Sequence, residues 1–411
     1  MVGSRASTVT PRFTLRGDAA RARRRKSAIT AATVLASGLG VAAAGGSGDV
    51  EAADDFVFWG TPYYHSDPCI RGSVAQLSMG ILHAAAVLED GTIECWGSNF
   101  FGECEIPGDV GPGPFQVPAV QASAGEGHTA VVLADGSVRC WGENEYGECV
   151  VPPWVGSPDN PVRSVHAGVY STTALMMDGS VACWGNAAAQ DCDPFTDLPE
   201  RGLRRLSVGE NHTIGLMDDG SIRCWGANFH GQCDIPEGVG GPGDRVIAIA
   251  TGYSHTVVLL EDGSVRCWGD DSVGQLSVPR GIGTPTRPGI ALAAGQGHTV
   301  LLHEDGSVAC WGYNSGGQIE VPRSIAEPHD ESSRPLVDVV AKGLGSGAIR
   351  TAIAFCSGDL DRDARVDGVD LGAMLLDWGG RDGCRSDIDE DGVVGAGDLG
   401  LLLSNWGPCG S

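Results

Sequence analysis

The sequence lacks the motifs that identify common hydrolytic and nucleotide-dependent enzymes. It contains no Gly-x-Ser-x-Gly nucleophile elbow, no His-Glu-x-x-His zinc motif and no phosphate-binding loop. Basic residues are also scarce, since 27 Lys and Arg stand against 52 Asp and Glu, a net charge of −25. This charge repels phosphate backbones and anionic lipid surfaces, so we expect no nucleic acid partner. No segment beyond residue 44 is apolar for long enough to predict a membrane span.

The first 53 residues differ in composition from the rest of the chain. Basic residues between Arg12 and Lys26 precede an apolar stretch, residues 28–44, which ends in small side chains. This order is typical of a secretory signal peptide. We therefore predict a signal peptide over residues 1–44, a short linker over 45–53, and export to the periplasm, the cell surface or the medium. A disordered basic tail is the alternative interpretation.

The central part of the chain is a repeat with a period of about 43 residues. The tripeptide Cys-Trp-Gly recurs six times, beginning at Cys95, Cys140, Cys183, Cys224, Cys267 and Cys310. An Asp-Gly turn precedes each copy, and most copies contain Gly-x-x-His-Thr further upstream. Short strands joined by Gly-rich turns are typical of a propeller blade, for which we expect four antiparallel strands. Because the Trp recurs in every copy and the His in most of them, we expect them to pack blade on blade rather than to catalyse a reaction.

The order of these motifs resembles the repeat of the regulator-of-chromosome-condensation family over residues 54–355. The resemblance implies an all-β propeller. Phe58-Trp59-Gly60 stands in the register of Cys-Trp-Gly, and residues 339–345 resemble the strand that carries Gly-x-x-His-Thr. Two half-repeats at the two ends predict a seven-bladed ring in which an N-terminal strand closes the last blade.

The resemblance also implies functions. Val-Pro at Val278 and at Val321 is similar to exported bacterial members, the type II β-lactamase inhibitory protein among them, which implies a secreted protein-binding or inhibitory role. The guanine-nucleotide exchange activity of the family is a nuclear role, and predicted export argues against it. We predict a non-enzymatic, monomeric protein without catalytic residues. A carbohydrate-active enzyme and a structural component of an extracellular assembly are the alternatives.

Each repeat carries a variable loop after Trp-Gly, and equivalent loops of a ring reach the same face. Aromatic and acidic residues alternate in these loops from blade to blade, as on a surface that binds a protein partner. Loops without a function are the alternative. Trp154, in a Pro-rich segment, is expected to join this face. The predicted protein-binding residues are Phe100, Phe101, Tyr146, Trp154, Phe229, His230 and Tyr313.

Four repeats contain a second cysteine nine positions after the first. In an exported chain such pairs predict disulfides within each blade, with zinc binding as an alternative that the lack of Cys-x-x-Cys disfavours. The pairs are Cys95 with Cys104, Cys140 with Cys149, Cys183 with Cys192, and Cys224 with Cys233. Cys267 and Cys310 have Leu276 and Ile319 in the second register. We expect them to be buried thiols or to pair with each other.

A different domain begins at Cys356, where a short unit appears twice. Each unit places oxygen ligands at alternate positions of one tight loop, which is what calcium requires. The first loop offers Asp359, Asp361, Asp363, the carbonyl of Arg365, Asp367 and Asp370, and the second offers Asp387, Asp389, Asp391, the carbonyl of Val393, and Asp398. An apolar helix is expected after each loop, over residues 371–378 and 399–406.

The two loop-and-helix units resemble a type I dockerin over residues 356–411. The resemblance implies bound calcium and a cohesin-like partner for this tail. Residues 368–369 and 396–397 lack the hydroxyls that are frequent in cohesin-recognising dockerins, which weakens the second prediction. An acidic tail without metal is the alternative.

Overall fold

The computed structural model describes residues 56–60, 70, 73–186, 202–327, 335–350, 360, 365–378, 386, 388 and 393–408. The predicted signal peptide and linker lie outside them. Three helices are present in these ranges: α1 (Arg323–Ala326), α2 (Gly368–Leu376) and α3 (Ala396–Ser404). None of the described helices has the length and apolar composition needed to cross a membrane.

The repeats form seven three-stranded antiparallel sheets that resemble propeller blades. In each sheet an inner strand pairs with a middle strand, and the middle strand pairs with an outer strand. From inner to outer strand, sheet 1 comprises β2 (Val74–Met79), β3 (His83–Leu88) and β4 (Ile93–Gly97), and sheet 2 comprises β5 (Ala119–Ala124), β6 (His128–Leu133) and β7 (Val138–Gly142). In the same order, sheet 3 comprises β8 (Val162–Ala167), β9 (Ser171–Met176) and β10 (Val181–Gly185), and sheet 4 comprises β11 (Leu203–Val208), β12 (His212–Met217) and β13 (Ile222–Gly226). Sheet 5 comprises β14 (Val246–Thr251), β15 (His255–Leu260) and β16 (Val265–Gly269), and sheet 6 comprises β17 (Gly289–Ala294), β18 (His298–His303) and β19 (Val308–Gly312).

Sheet 7 joins the two ends of the repeat region. It comprises β20 (Leu336–Lys342), β21 (Gly345–Arg350) and the N-terminal β1 (Phe56–Gly60). Strand β1 pairs antiparallel with β21, so that Phe56 lies opposite Ile349 and Gly60 opposite Gly345. The N-terminal strand thus takes the place that an outer strand holds in the other sheets.

Each sheet has three described strands, not the expected four. In the described residues, the β pairing between an outer strand and the next inner strand is limited to isolated bridges, such as Val110 with Val117 and Ser157 with Asn160. Several prolines interrupt these segments, and proline cannot donate to a strand ladder. The prediction of a fourth strand is therefore wrong for the described part of the chain.

The middle strands are buried along their whole length because each lies between two neighbouring sheets. On β6, Val131 packs in a cluster with residues of sheet 1, whereas Val132 packs in a cluster with residues of sheet 3. Alternate side chains of one strand point to opposite faces, so both faces need apolar residues. This explains why the middle strands are continuous apolar runs rather than alternating ones.

The inner strands of all seven sheets line one cavity of about 250 Å³. Side chains join neighbouring inner strands across it, as Gln76 Oε1 accepts from the backbone N–H of Ala122 at 2.8 Å and Ser78 Oγ accepts from that of Ala124 at 2.9 Å. In addition, β20 contacts both β17 and β2. The inner strands are therefore held together by packing and by side-chain to backbone hydrogen bonds.

The tail has a small core of its own, formed by Leu360, Val366, Met374, Val394 and Leu402. Two short strands, β22 (Arg365–Val366) and β23 (Gly407–Pro408), pair beside α2 and α3.

Both tail helices start three residues earlier than expected and end before their tryptophans. Asp367 caps α2, since its side chain accepts from the N–H of Val369 at 2.8 Å. This cap precedes Gly368 and fixes the start of the helix there. Trp378 and Trp406 consequently lie beyond the ends of α2 and α3, not within them as predicted.

Candidate functional site

The repeated tryptophans and threonines converge on one backbone carbonyl between neighbouring sheets. The carbonyl of Glu103 accepts from Trp141 Nε1 at 2.9 Å and from Thr129 Oγ1 at 2.8 Å. The same pair of bonds reaches Glu148 O from Thr172 and Trp184, and Gln232 O from Thr256 and Trp268. These side chains are buried, so the geometry agrees with a packing role for them.

The repeated histidines extend the same contact into the next sheet. His83 Nε2 lies 2.9 Å from Thr129 Oγ1. Because that hydroxyl gives its single proton to Glu103 O, we infer that Nε2 carries the imidazole proton. Burial lowers the pKa of His83 to about 4 and, with His83 and Lys342 nearby, that of His128 to about 3. The imidazoles are therefore neutral at pH 7, and they are inaccessible to solvent.

One end of the sheets forms a surface that we call the loop face. It consists of the turns between inner and middle strands and the loops that follow the outer strands. The loop of sheet 1 is tied to its own turn by the N–H of Ser98, which donates to Leu82 O at 2.9 Å. Turns of neighbouring sheets are also joined, as Ile81 N donates to Gly125 O at 3.0 Å.

Six of the seven predicted binding residues lie in loops of this face. They are Phe100, Phe101, Tyr146, Phe229, His230 and Tyr313, which follow the outer strands of sheets 1, 2, 4 and 6. The exposed fraction is 85% for Phe100 and 82% for Phe229, while Phe101 and Tyr146 are partly exposed and Tyr313 is half-buried. Tyr253, in a turn of the same face, is exposed too and was missed, because it lies at a variable position of Gly-x-x-His-Thr and not in a loop after Trp-Gly.

The structure does not bring Trp154 to the loop face. Its loop packs against the turn at the other end of sheet 2, where a Cβ on Gly156 would lie 2.9 Å from the Cα of Ser137. The next residue, Val155, packs with Val138 and with residues of the next sheet. Trp154 is 51% exposed on this opposite face, so the expectation that it joins the other aromatics is not met.

Three glutamates of the loop face are close enough for the charges of two of them to act on the third. Glu126 lies in the turn of sheet 2 and Glu210 in the turn of sheet 4, while Glu143 follows the outer strand of sheet 2. Burial, and then the charges of Glu143 and Glu210, raise the pKa of Glu126 to about 7. Burial raises the pKa of Glu210 as well, and Lys342 opposes this. The site therefore concentrates negative charge.

Three of the four predicted disulfides are present. Cys95–Cys104, Cys140–Cys149 and Cys224–Cys233 are bonded, with Cα–Cα distances of 5.2, 4.9 and 5.2 Å. The fourth predicted pair, Cys183 with Cys192, includes a residue that lies outside the described part of the chain. Cys267 and Cys310 are free thiols and do not pair with each other. Burial raises the pKa of Cys267 to about 12.

The two position-12 aspartates of the tail make the same contacts. Asp370 is buried and its two oxygens accept from the N–H groups of Leu360 at 2.6 Å and Asp367 at 2.7 Å. Asp398 accepts in the same way from Ile388 at 2.5 Å and Gly395 at 2.6 Å. The two copies of the tail unit therefore have the same hydrogen-bond geometry at position 12.

The predicted calcium ligands fall into two groups. Asp359, Asp361, Asp363, Asp387, Asp389 and Asp391 lie outside the described residues, whereas Arg365, Asp367 and Val393 are at the surface or half-buried beside the helices. Within the described part of the chain no group of three or more His, Cys, Asp or Glu is arranged to hold a metal ion.

The sequence of five repeats matches a known family model. This is the regulator of chromosome condensation (RCC1) repeat, matched over residues 74–103, 119–148, 204–232, 246–275 and 290–318. The third repeat, where Ser171 replaces the histidine, is not among the matches. Among curated protein sequences none is significantly similar to this chain.

Solved structures share the fold at low sequence identity. Prp20p from Saccharomyces cerevisiae is 17% identical, with a TM-score of 0.55 over 72% of this chain and 92% of that one. Human WBSCR16 is 16% identical, with a TM-score of 0.54 over 69% and 88% of the two chains. The ectodomain of the Arabidopsis thaliana receptor kinase ACR4 is 20% identical, with a TM-score of 0.50 over 68% and 94%. The chain therefore carries five RCC1 repeats in an RCC1-type, propeller-like fold.

Proposed function

We propose that this chain is an exported, non-enzymatic, seven-bladed propeller that binds a protein partner through its loop face, and that a calcium-dependent tail anchors it. The observation that carries the binding role is the pair of phenylalanines on one face, Phe100 and Phe229, with 85% and 82% of their surface exposed. Aromatic side chains exposed on preformed loops are typical of protein-binding surfaces.

The contacts of sheet 7 support the closed ring. The carbonyl of Gln318 accepts from Trp59 Nε1 at 3.0 Å and from Ser346 Oγ at 2.9 Å. These two bonds repeat those that Glu103 O receives from Trp141 and Thr129. Strand β1 therefore makes the inter-sheet contact of an ordinary outer strand, although it comes from the other end of the chain.

The chemistry of the recurrent histidines supports a non-enzymatic role. A general acid or base must reach its substrate and titrate near the working pH. His212 and His255, like His83, are buried, have a pKa of about 4 and are bonded to a threonine of the next sheet. These groups are used for the contact between sheets.

Two of the similar solved structures are of proteins described with protein partners. Prp20p is described with its binding to Gsp1p and histones, and yeast RCC1 as bound by Kap60. At 17% identity the likeness extends to the fold alone, so we carry over only the class of ligand, a protein.

Export is supported by the three disulfides, because such bonds persist in oxidising compartments. It is supported also by the order of basic and apolar residues before residue 44. Export in turn argues against nucleotide exchange on a nuclear GTPase.

The donor chemistry of the tail fits calcium. Asp370 and Asp398 are held rigidly by backbone N–H groups, and a carboxylate oxygen that accepts one N–H is still able to coordinate a cation through its second lone pair. With the other aspartates of each loop they would hold one ion per loop, which would order the loops. A cohesin-like protein is the partner that we propose for the ordered tail.

The loop face can be tested by capture of exported proteins of the host on the immobilised full chain. We expect the double substitution Phe100→Ala and Phe229→Ala to abolish capture of a partner whose binding does not depend on calcium. Phe115→Ala is the matched control, since Phe115 is 95% exposed but lies in the loop before β5, at the opposite face. Equal loss in the control would contradict a role for the loop face.

A second arm separates the tail from the propeller. Asp370→Ala should remove capture that depends on calcium and leave capture by the loop face intact. If every captured protein required calcium and Asp370, the tail alone would be the docking element and the proposed propeller role would fail.

A further inference from the structure

The cavity between the inner strands, which we call the central cavity, lies beside the loop face. It is lined by residues near the ends of those strands, among them Ser78, Ser123 and Ser207, which lead into the turns of that face. Much of the remaining lining is aliphatic, as at Ile249 and Leu292. The volume of about 250 Å³ is larger than that of an engineered cavity of about 150 Å³ that binds benzene. A small organic molecule therefore fits in the central cavity.

A lysine lines this cavity in a chain that is poor in lysine. The sequence contains only two, Lys26 and Lys342, and Lys342 reaches the cavity from sheet 7. Burial lowers the pKa of His166 in sheet 3 to about 4, and the charge of Lys342 adds to this. Burial raises the pKa of Glu210 in sheet 4, and Lys342 opposes it. Because sheet 7 contacts sheets 6 and 1, the ammonium group must extend across the cavity to act on sheets 3 and 4.

Lys342 stands at a position where the other sheets have glycine. In sheets 2 and 7 the preceding alanines, Ala124 and Ala341, have corresponding pairing partners. Lys342 therefore takes the register of Gly125. The other sheets have Gly80, Gly168, Gly209, Gly252 and Gly295 in this register. A Cβ on Gly125 would lie 2.6 Å from the carbonyl oxygen of the glycine in the next sheet. The contact between sheets thus favours glycine, and the lysine is not a requirement of the repeat.

Two serines bring hydroxyl donors to the same cavity. Ser78 Oγ accepts from the N–H of Ala124 at 2.9 Å, and Ser123 Oγ accepts from that of Ala167 at 2.9 Å. Each hydroxyl keeps its own proton to donate. Among the described residues no acceptor for either proton lies within hydrogen-bond distance. The polar part of a molecule in this cavity should therefore be a hydrogen-bond acceptor.

The acids of the loop face do not belong to the lining. Glu126 and Glu210 lie in the turns, and none of the described residues that line the cavity is a carboxylate. An ammonium group has three N–H donors, so Lys342 is able to serve Glu210 and a ligand at the same time. A positive charge beside hydroxyl donors favours a carboxylate, whereas a metal ion or an amine would be repelled by that charge.

We propose that the central cavity binds a small organic carboxylate, whose oxygens accept from Lys342, Ser78 and Ser123. Its apolar part packs on the aliphatic lining, to which Ile249 and Leu292 belong. The inference goes beyond the proposed function, since neither the partner of the loop face nor the tail takes part in it.

The test uses the full chain, labelled with ¹³C at the Cε atoms of lysine, and benzoate as the probe. Two lysines give two resonances, and the variant Lys342→Met assigns them. We expect benzoate to shift the Lys342 resonance until the site is saturated and to leave that of Lys26 unchanged. Benzamide has nearly the same shape without the charge, and it should bind more weakly by about tenfold or more.

Variants separate the charge from the space. Lys342→Met removes the charge from a side chain of similar length and should weaken benzoate by about tenfold or more in isothermal titration calorimetry. Ala293→Leu fills part of the cavity and should weaken benzoate and benzamide alike. Arg280→Met is the matched control, because it removes an exposed positive charge from the loop before β17, outside the lining. It should leave the affinity for benzoate unchanged, and thermal unfolding checks that each variant folds.

Three results would each overturn the proposal. They are equal affinity for benzoate and benzamide, an unchanged affinity for benzoate in Lys342→Met, and equal shifts of the Lys26 and Lys342 resonances. Inorganic phosphate is the last probe. If it bound as tightly as benzoate, the site would attract any anion and the organic part of the proposed ligand would be wrong.

Discussion

Two groups of sheets hold the same loop in different ways. In sheets 1, 2 and 4 a disulfide joins the outer strand to the loop, whereas in sheets 5 and 6 the second position is Leu276 or Ile319 and the first cysteine is free. The loop nevertheless has one hydrogen bond in common. In both groups the backbone N–H at the second position donates to an Asn or Asp side chain five residues earlier, as Cys149 does to Asn144 at 2.9 Å and Leu276 to Asp271 at 2.9 Å.

The difference teaches that the disulfide is not what shapes the loop. The side-chain oxygen of Asn or Asp fixes the local backbone in both groups, as such residues often do in turns. The covalent bond then acts mainly by restricting the unfolded chain. The predictions below use this contrast, from the largest expected effect to the smallest.

Acid should destabilise both groups of sheets alike. Burial lowers the pKa of the five repeat histidines from 6.5 to about 3 or about 4. Below pH 6.5 the unfolded chain binds protons that the folded chain does not, so the free energy of unfolding falls as the pH drops towards 4, on the order of 3 kcal/mol for each histidine. The raised pKa of Glu126 changes the free energy of unfolding in the opposite direction, but Glu126 is one group against five histidines.

Urea unfolding measured between pH 7.5 and 4.5 checks this prediction. His128→Asn in a disulfide sheet and His298→Asn in a thiol sheet should each make the pH dependence shallower by a similar amount. A free energy of unfolding that stays constant between pH 6.5 and 4.5 would contradict it.

Removal of one tryptophan that packs between sheets should lower the free energy of unfolding by a similar amount in the disulfide sheets and in the thiol sheets. Trp141 and Trp311 are both buried and donate through Nε1 to a backbone carbonyl of the preceding loop, at 2.9 and 3.0 Å. We expect Trp141→Ala and Trp311→Ala each to lower the free energy of unfolding by about 3–5 kcal/mol in urea titrations. A much smaller cost for Trp141 would mean that its disulfide compensates for lost packing.

Conversion of a disulfide sheet into a thiol-type sheet should cost less. The substitution Cys149→Leu copies the residue found at Leu276 and leaves Cys140 as a free thiol, as Cys267 is. We expect a loss of about 2–3 kcal/mol in urea unfolding under oxidising conditions. With reductant present, the parent and the variant should have nearly equal stability, and a persistent difference would point to packing instead.

The reverse conversion should have the smallest effect. Leu276→Cys places a thiol at the register that Cys149 and Cys233 hold in their sheets, opposite Cys267. We expect a new disulfide, detected by mass spectrometry without reductant, and a gain of about 2 kcal/mol in urea unfolding. The Leu276→Ser variant is the control for the lost side chain. Failure of the bond to form would show that the loop of sheet 5 has a different backbone.

Much of the fold follows from the repeat itself. The Asp-Gly turns and the apolar runs between them specify two strands in each copy, and the spacing of Cys95 and Cys104 is enough to predict their bond. The fourth strand was predicted wrongly because the period alone does not show where a Pro-rich segment leaves the sheet. The pairing of Phe56 with Ile349 was suggested by half-repeats at the two ends, a signal carried by sequence.

The binding residues were predicted less completely. The register after Trp-Gly places Phe100, Tyr146 and Phe229 on one face without any coordinates. Trp154 lies outside the repeat motifs, so the face on which it lies depends on how its loop packs.

The sequence by itself determined the number of repeats, the strands that alternate with turns, three disulfides and the duplicated acidic loops of the tail. These properties depend on contacts that are local or that recur at a constant period, so each copy carries its own evidence. Only the tertiary structure decided which turns meet at one face and which of the predicted binding residues lie there. Both depend on distances between residues of different repeats, and those distances are set by the packing of whole sheets.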